Sequence, residues 1–136
     1  MTVGYRERIL IVEDEEKLAR LMQQLLEAFG YEVQIMGRGT EAIAYAAEHR
    51  PDLVILDLRL PDLNGYEVCR RLRQRYHPSV MPVLMVTAMN EPVDQLRGLA
   101  SGADAYLTKP YDSTELVKTV ITLLEQPSAD SAVQAG

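Results

Sequence analysis

At 136 residues the chain has room for one ordinary domain and not for a second folded unit of useful size beside it. Its composition, 47% hydrophobic and 25% charged, is that of a globular protein that can bury a core without a disulfide or metal staple. A net charge of −6 argues against nucleic acid as a direct partner, because gripping a polyanion depends on Lys and Arg neutralising phosphates.

Met1 to Arg8 carries charge and no apolar h-region, so no signal peptide is expected. No apolar run reaches the ~20 residues of a membrane helix, and no membrane partner is expected. Cytoplasmic residence follows as an expectation. The single cysteine, Cys69, lacks an internal partner and suits a reducing compartment; set in a helical pattern with no nearby His or Lys, it reads as a small packing residue.

In chain order, short β-branched runs alternate five times with helical patterns. An N-terminal extension, 1–7, precedes a domain over 8–126. The first strand is predicted over Arg8–Glu13. A helix follows with Leu18, Leu21, Met22, Leu25, Leu26 and Phe29 as one apolar stripe, stopped by Gly30. The second strand, Glu32–Met36, is mixed in character and suits a place near an edge. The second helix spans about Thr40–Glu48, with Pro51 beyond it. The third strand, Leu53–Leu58, is apolar without alternation, which is how a strand reads when both faces are covered.

The third helix spans about Asn64–Tyr76, and its Arg70, Arg71, Arg73 and Arg75 read as a solvated surface. The fourth strand is predicted over Met81–Val86. The fourth helix opens at Pro92 and ends near Gly102. After the fifth strand, Ala105–Thr108, the fifth helix opens at Asp112 with Glu115 as an Asp version of the capping box. Its stripe is Leu116, Val117, Val120, Ile121 and Leu124. Residues 127–136 turn small and polar and read as a disordered tail or the stub of a linker. The whole is an α/β pattern: an open, doubly wound (βα)5 sandwich around a parallel sheet, with helices on both faces.

In such sheets the ligand site lies beyond the C-terminal strand ends, and the reactive residues do cluster there. The first strand runs into Glu13-Asp14, the third into Asp57, the fourth into Thr87 and the fifth into Lys109-Pro110. Three converging acids repel one another, so a hard cation with oxygen ligands, Mg²⁺ or Mn²⁺, is the natural neutraliser. A Lys and a hydroxyl opposite them offer donors to phosphate oxygens. Glu13, Asp14, Asp57, Thr87 and Lys109 therefore form a candidate site for phosphoryl transfer, with Asp57 as the attacking group.

The stretches Ile9-Leu10-Ile11-Val12-Glu13-Asp14-Glu15, Asp52 to Asp57, Leu60-Pro61-Asp62-Leu63-Asn64-Gly65, Thr87-Ala88, Gly102 to Tyr106 and Lys109-Pro110-Tyr111 resemble the receiver domain of bacterial response regulators, over about Arg8 to Gln126. The resemblance implies the flavodoxin-like strand order 2-1-3-4-5. It implies Asp57 as phosphoacceptor from a histidine kinase or histidine phosphotransfer protein. The metal ligands would be Asp14, Glu13 directly or through water, Asp57 and the backbone carbonyl of Arg59. Thr87 and Lys109 would contact the phosphoryl group. A switch would follow in which Thr87 moves toward that group and Tyr106 turns inward, changing the face of the fourth helix, fifth strand and fifth helix. The same resemblance implies a cis Lys109-Pro110 peptide, a downstream protein target, a phosphorylation-dependent homodimer through the fourth and fifth helices, and a signalling protein rather than an enzyme acting on separate substrates, although it would catalyse its own phosphorylation and dephosphorylation.

Three positions depart from the family's commonest pattern. Glu13 stands where Asp is usual. Arg59 and Met89, two residues after Asp57 and Thr87, cannot orient an attacking water, which implies slow self-dephosphorylation. Alternative readings are a small aspartyl-phosphate phosphatase, disfavoured because Arg59 stands where a second Asp would act as general acid, a phosphorylation-independent interaction module, and a receiver excised from a larger regulator.

Overall fold

The computed structural model describes residues 6–125; the tail expected at 127–136 and most of the extension expected at 1–7 lie outside them. Ten elements alternate: β1 (Arg8–Val12), α1 (Glu16–Ala28), β2 (Glu32–Met36), α2 (Gly39–His49), β3 (Leu53–Leu56), α3 (Gly65–Arg75), β4 (Val83–Thr87), α4 (Pro92–Ala100), β5 (Ala105–Thr108) and α5 (Ser113–Glu125). The strands form one parallel sheet of order β2-β1-β3-β4-β5, as the resemblance implied.

Strand periodicity divides the apolar runs between two cores. Leu10, Val12, Val54, Leu56, Val83 and Met85 face a cluster completed by Ala42, Ala46, Val68, Cys69 and Leu72 of α2 and α3. Ile9, Ile11, Leu53, Ile55, Leu84 and Val86 face the other, completed by Ala19, Met22, Leu26, Leu116, Val120 and Leu123 of α1 and α5. Cys69 packs in the first, where burial pushes its thiol up to about 11, the opposite of activation. Among the described residues no helix is long and apolar enough to cross a membrane.

Several boundaries shift for local reasons. β3 stops at Leu56 because Leu58 turns out of the sheet and its carbonyl accepts Gly65 N–H at 2.8 Å. β4 starts two residues late, since Pro82 has no N–H for the ladder, and runs on through Thr87. The stripe on α1 is wider than the face it buries: Ala19, Met22 and Leu26 are buried, but Leu21 is 63% exposed and Phe29 56%. Leu21 lies about 100° round the helix from Met22, beyond the reach of the sheet. On α5 the buried set includes Leu123, and Ile121 and Leu124 are only half-buried. Asp112 accepts Thr114 N–H at 2.9 Å, while α4 opens with a capping box in which Asp94 accepts Glu91 N–H at 3.1 Å.

Arg73 is not part of a solvated surface. Its guanidinium pairs with Asp104 at 2.5 Å and donates to the carbonyls of Gly102 at 2.8 Å and Met81 at 2.6 Å, while Asp104 also accepts Val83 N–H. It ties the end of α3 to the start of β4 and to the turn before β5. Arg73→Ala strands the mostly buried Asp104 and two carbonyls, so a loss of about 2–4 kcal/mol is expected. Urea unfolding checks this as a lowered midpoint with unchanged slope. Arg70 and Arg71 do behave as surface groups, each paired with Glu67.

Candidate functional site

Each candidate side chain is held by the strand that precedes it. Glu13 N–H donates to Met36 O and Asp57 N–H to Val12 O, both at 3.0 Å, so the sheet ladder continues one residue past β1 and β3 and fixes where the two acids emerge. Lys109 N–H donates to Thr87 O at 2.8 Å and anchors the end of β5 in the same way. The peptide between Lys109 and Pro110 is cis, as the resemblance implied.

From the edge strand Lys109 reaches across the rim. Its Nζ donates to Glu13 Oε1 at 2.5 Å and to Asp57 Oδ2 at 2.9 Å. Glu13 and Asp57 are only 5% and 7% exposed, so their ionised forms depend on these contacts. Burial would raise the Asp57 carboxyl, but the bonds from Lys109 and from Arg59 N–H, 3.1 Å from Oδ1, outweigh it and hold it below the ordinary range. For Glu13 burial wins, and its carboxyl sits above the ordinary range despite Lys109 and Glu15 N–H. Burial would lower Lys109, yet its two carboxylate partners hold it up. The site thus keeps an ionised carboxylate and an ammonium side by side at the mouth of the sheet.

Asp14 is exposed and takes no hydrogen bond or ion pair within the described residues. Among those residues no group of three or more His, Cys, Asp and Glu side chains is gathered as a metal cage, so the acids expected as metal ligands are near one another in sequence and fold but not closed around a common point. The donor set nevertheless fits a hard divalent cation: three carboxylates against one ammonium leave an excess of negative charge, and every donor is oxygen. Arg59 contributes its backbone here, while its side chain is exposed.

Thr87 is fully buried at the end of β4, where its Oγ1 accepts Met89 N–H at 3.4 Å; within the described residues its hydroxyl makes no hydrogen bond to Asp57 or to the Lys109 ammonium. Tyr106, half-buried on the edge strand, packs against the α2–α3 core and donates its hydroxyl to Met89 O at 2.7 Å. Burial pushes that phenol up to about 12. The Met89 peptide therefore links Thr87 to Tyr106, a connection made by backbone atoms that no pattern of side-chain types announces.

The loop after β3 has its own anchor. Asp62 Oδ1 accepts Gly39 N–H at 2.8 Å and Leu63 N–H at 2.9 Å, and Oδ2 accepts the N–H and hydroxyl of Thr40 at 2.9 and 2.7 Å. Arg38, at the N-cap of α2, offers no side-chain cap, so Asp62 supplies it from 22 residues away. The Thr40 bonds hold its carboxyl well below the usual range.

A family model described as the response regulator receiver domain matches residues 9–121. The chain is 46% identical over 119 residues to the phosphate regulon transcriptional regulatory protein PhoB of Rhizobium meliloti, covering 88% of this chain and 52% of that protein. It is 42% identical over 127 residues to the DNA-binding response regulator MtrA of Mycobacterium tuberculosis, covering 93% and 54%. The chain thus spans about half the length of these relatives. Among solved structures, a CheY-like receiver domain protein from Methanospirillum hungatei matches with a TM-score of 0.82 and 32% identity, covering 89% of this chain and 95% of that one. The BeF3-activated receiver domain of Klebsiella pneumoniae RstA matches with a TM-score of 0.83 and 28% identity, covering 88% and 100%.

Proposed function

The chain belongs to the response regulator receiver family, and from that premise we propose that it is a phosphorylation switch whose acceptor is Asp57. The observation that carries the reading is the single Lys109 ammonium shared by Glu13 and Asp57, which keeps the Asp57 carboxylate ionised at the open end of the sheet. In the reaction a carboxylate oxygen of Asp57 attacks phosphorus. The bond from phosphorus to the donor, a histidine nitrogen of a kinase or phosphotransfer protein, breaks with its electron pair leaving on that nitrogen, and an acyl phosphate forms. Lys109 then turns from the carboxylate to the new phosphoryl oxygens, and the Thr87 hydroxyl leaves Met89 N–H for the same group.

Glu13, Asp14, Asp57 and the carbonyl of Arg59 would hold a magnesium or manganese ion, which when bound supplies charge neutralisation for the incoming phosphoryl oxygens. Loss of the Thr87–Met89 contact frees the β4–α4 loop, whose Met89 carbonyl already holds the inward Tyr106 hydroxyl, and so alters the α4–β5–α5 face. That face has the apolar surface a reader needs: Val93, Leu96 and Leu99 of α4 are all exposed. This supports a protein partner there, or a second copy after phosphorylation. The relatives are named as transcriptional or DNA-binding regulators. For this domain, with its net charge of −6, we read control of such an output and not direct DNA contact.

The test is labelling by acetyl phosphate, with acetate as leaving group, in wild type and Asp57→Asn, each with Mg²⁺ and with EDTA. Label that requires both Asp57 and the metal is expected, and with Arg59 and Met89 unable to orient water it should persist for minutes or longer. Decay within seconds would overturn the slow hydrolysis. Label indifferent to Asp57 would overturn the acceptor assignment and leave a phosphorylation-independent interaction module.

A further inference from the structure

Helix α4 is a nine-residue helix with a glycine near its C-terminal end, at position 98, where glycine weakens a helix relative to alanine. What surrounds the missing side chain explains its presence. A Cβ on residue 98 would stand 2.9 Å from Met85 Sδ and 3.0 and 3.2 Å from Cδ2 and Cε2 of Tyr106. The first separation is closer than a methyl carbon and a sulfur tolerate and the other two are tighter than ordinary contacts, so the Met85 thioether and the Tyr106 ring both crowd the space an alanine methyl would need. It is from this position that the Tyr106 hydroxyl reaches Met89 O, and the Met89 N–H in turn reaches Thr87 Oγ1.

We infer that Gly98 is the positioning residue for the Tyr106 ring: a notch in α4 that admits the ring to its inward place on Met89, so that any side chain at position 98 turns the ring outward. The inference rests on reading Thr87 and Tyr106 as the paired moving elements of the switch, and adds that α4 sets the ring position independently of Thr87. Two groups could give way to a methyl at 98, and their surroundings decide between them. Met85 is fully buried in the α2–α3 core between β3 and β5, so its thioether moves only against close-packed neighbours. Tyr106 is half-buried on the edge strand, and rotation about its first side-chain torsion carries the ring to solvent for the loss of one hydrogen bond. The ring yields.

The experiment follows the ring in the unphosphorylated full chain labelled with ¹³C at tyrosine Cζ, the Tyr106 signal being assigned from Tyr106→Phe. In wild type the Tyr106 phenol is expected to titrate well above the ordinary value, and its ring, which faces Met85 across the β4–β5 ladder, to show a contact to the Met85 methyl. Gly98→Ala is expected to move that titration by a unit or more toward the ordinary value of about 10 and to remove the contact. A merely helix-stabilising change would move neither. A Gly98→Ala chain in which Tyr106 keeps its high titration and its Met85 contact overturns the inference. If Gly98→Ala proves too unstable to titrate, Gly98→Ala/Tyr106→Ala decides: recovery of the thermal midpoint supports the notch, and no recovery places the obstruction elsewhere and overturns it. No phosphodonor is used, so the outcome is separate from whether Asp57 accepts a phosphoryl group.

Discussion

Lys109→Ala is expected to lose about 2–4 kcal/mol of stability at pH 7.5 and to regain most of it as the pH is lowered toward 4. In the native protein one ammonium holds two carboxylates that are nearly out of solvent. Because Asp57 is depressed below its unfolded value of about 3.9, its contribution is present above that pH and is lost as the pH falls through the lower folded value. Glu13, raised above about 4.3, behaves oppositely: its favourable contribution is present below that pH and is lost as the pH rises through the folded value. Without Lys109 both acids are desolvated with no cation, so both lie raised. The folded chain then binds more protons than the unfolded one from about pH 4 upward, and stability falls with rising pH. Urea titrations at several pH values check this, and a loss that is the same at every pH would count against it. Acetyl phosphate labelling should also fall, by roughly 10²-fold, since a preorganised donor to the phosphoryl oxygens is gone.

The second large effect is expected at Gly65, where substitution by alanine should cost about 3 kcal/mol. A Cβ there would stand 2.5 Å from the carbonyl oxygen of Asp57 and 2.7 Å from Leu58 Cα. Both are backbone atoms at the end of a central strand, and neither can rotate away. The first turn of α3 would have to lift from the segment that presents Asp57. Gly39→Ala provides the comparison, for its nearest obstruction at 2.7 Å is a methyl of Val68, which can adjust, and a smaller loss of about 1–2 kcal/mol is expected. Equal losses at the two positions, measured by urea unfolding, would refute the distinction between backbone and side-chain obstruction.

The two-sided sheet was legible because Ile9–Val12, Leu53–Leu56 and Val83–Val86 are apolar at every position, and burial on both faces is what such runs require. The rim was legible because an acid directly after an apolar strand must be paired or presented, and the structure pairs Glu13 and Asp57 through Lys109. Arg73 was not legible: it sits among three other arginines, and its partner Asp104 is 31 residues on, so only the folded chain distinguishes it. Asp62 is similar, since its role as the cap of α2 depends on a loop passing the start of a helix 22 residues earlier. The outer apolar residues of α1 show the converse error, in which period alone placed Leu21 on a face that the sheet does not reach. Gly98 carries no local signal at all, because its reason is a ring on another element.

Lys109 leaves the edge strand, passes the end of β4 and makes its contacts above β3 and β1. A single side chain therefore joins the β5 edge strand to Asp57, the proposed acceptor, and that joint runs both ways. If phosphorylation changes the affinity of a partner for the β5 edge by some factor, the same partner must change the equilibrium constant for forming the acyl phosphate by that factor. A target protein would then act as a thermodynamic load on the acceptor, shifting the balance between donor and receiver before any transcriptional or other output is made.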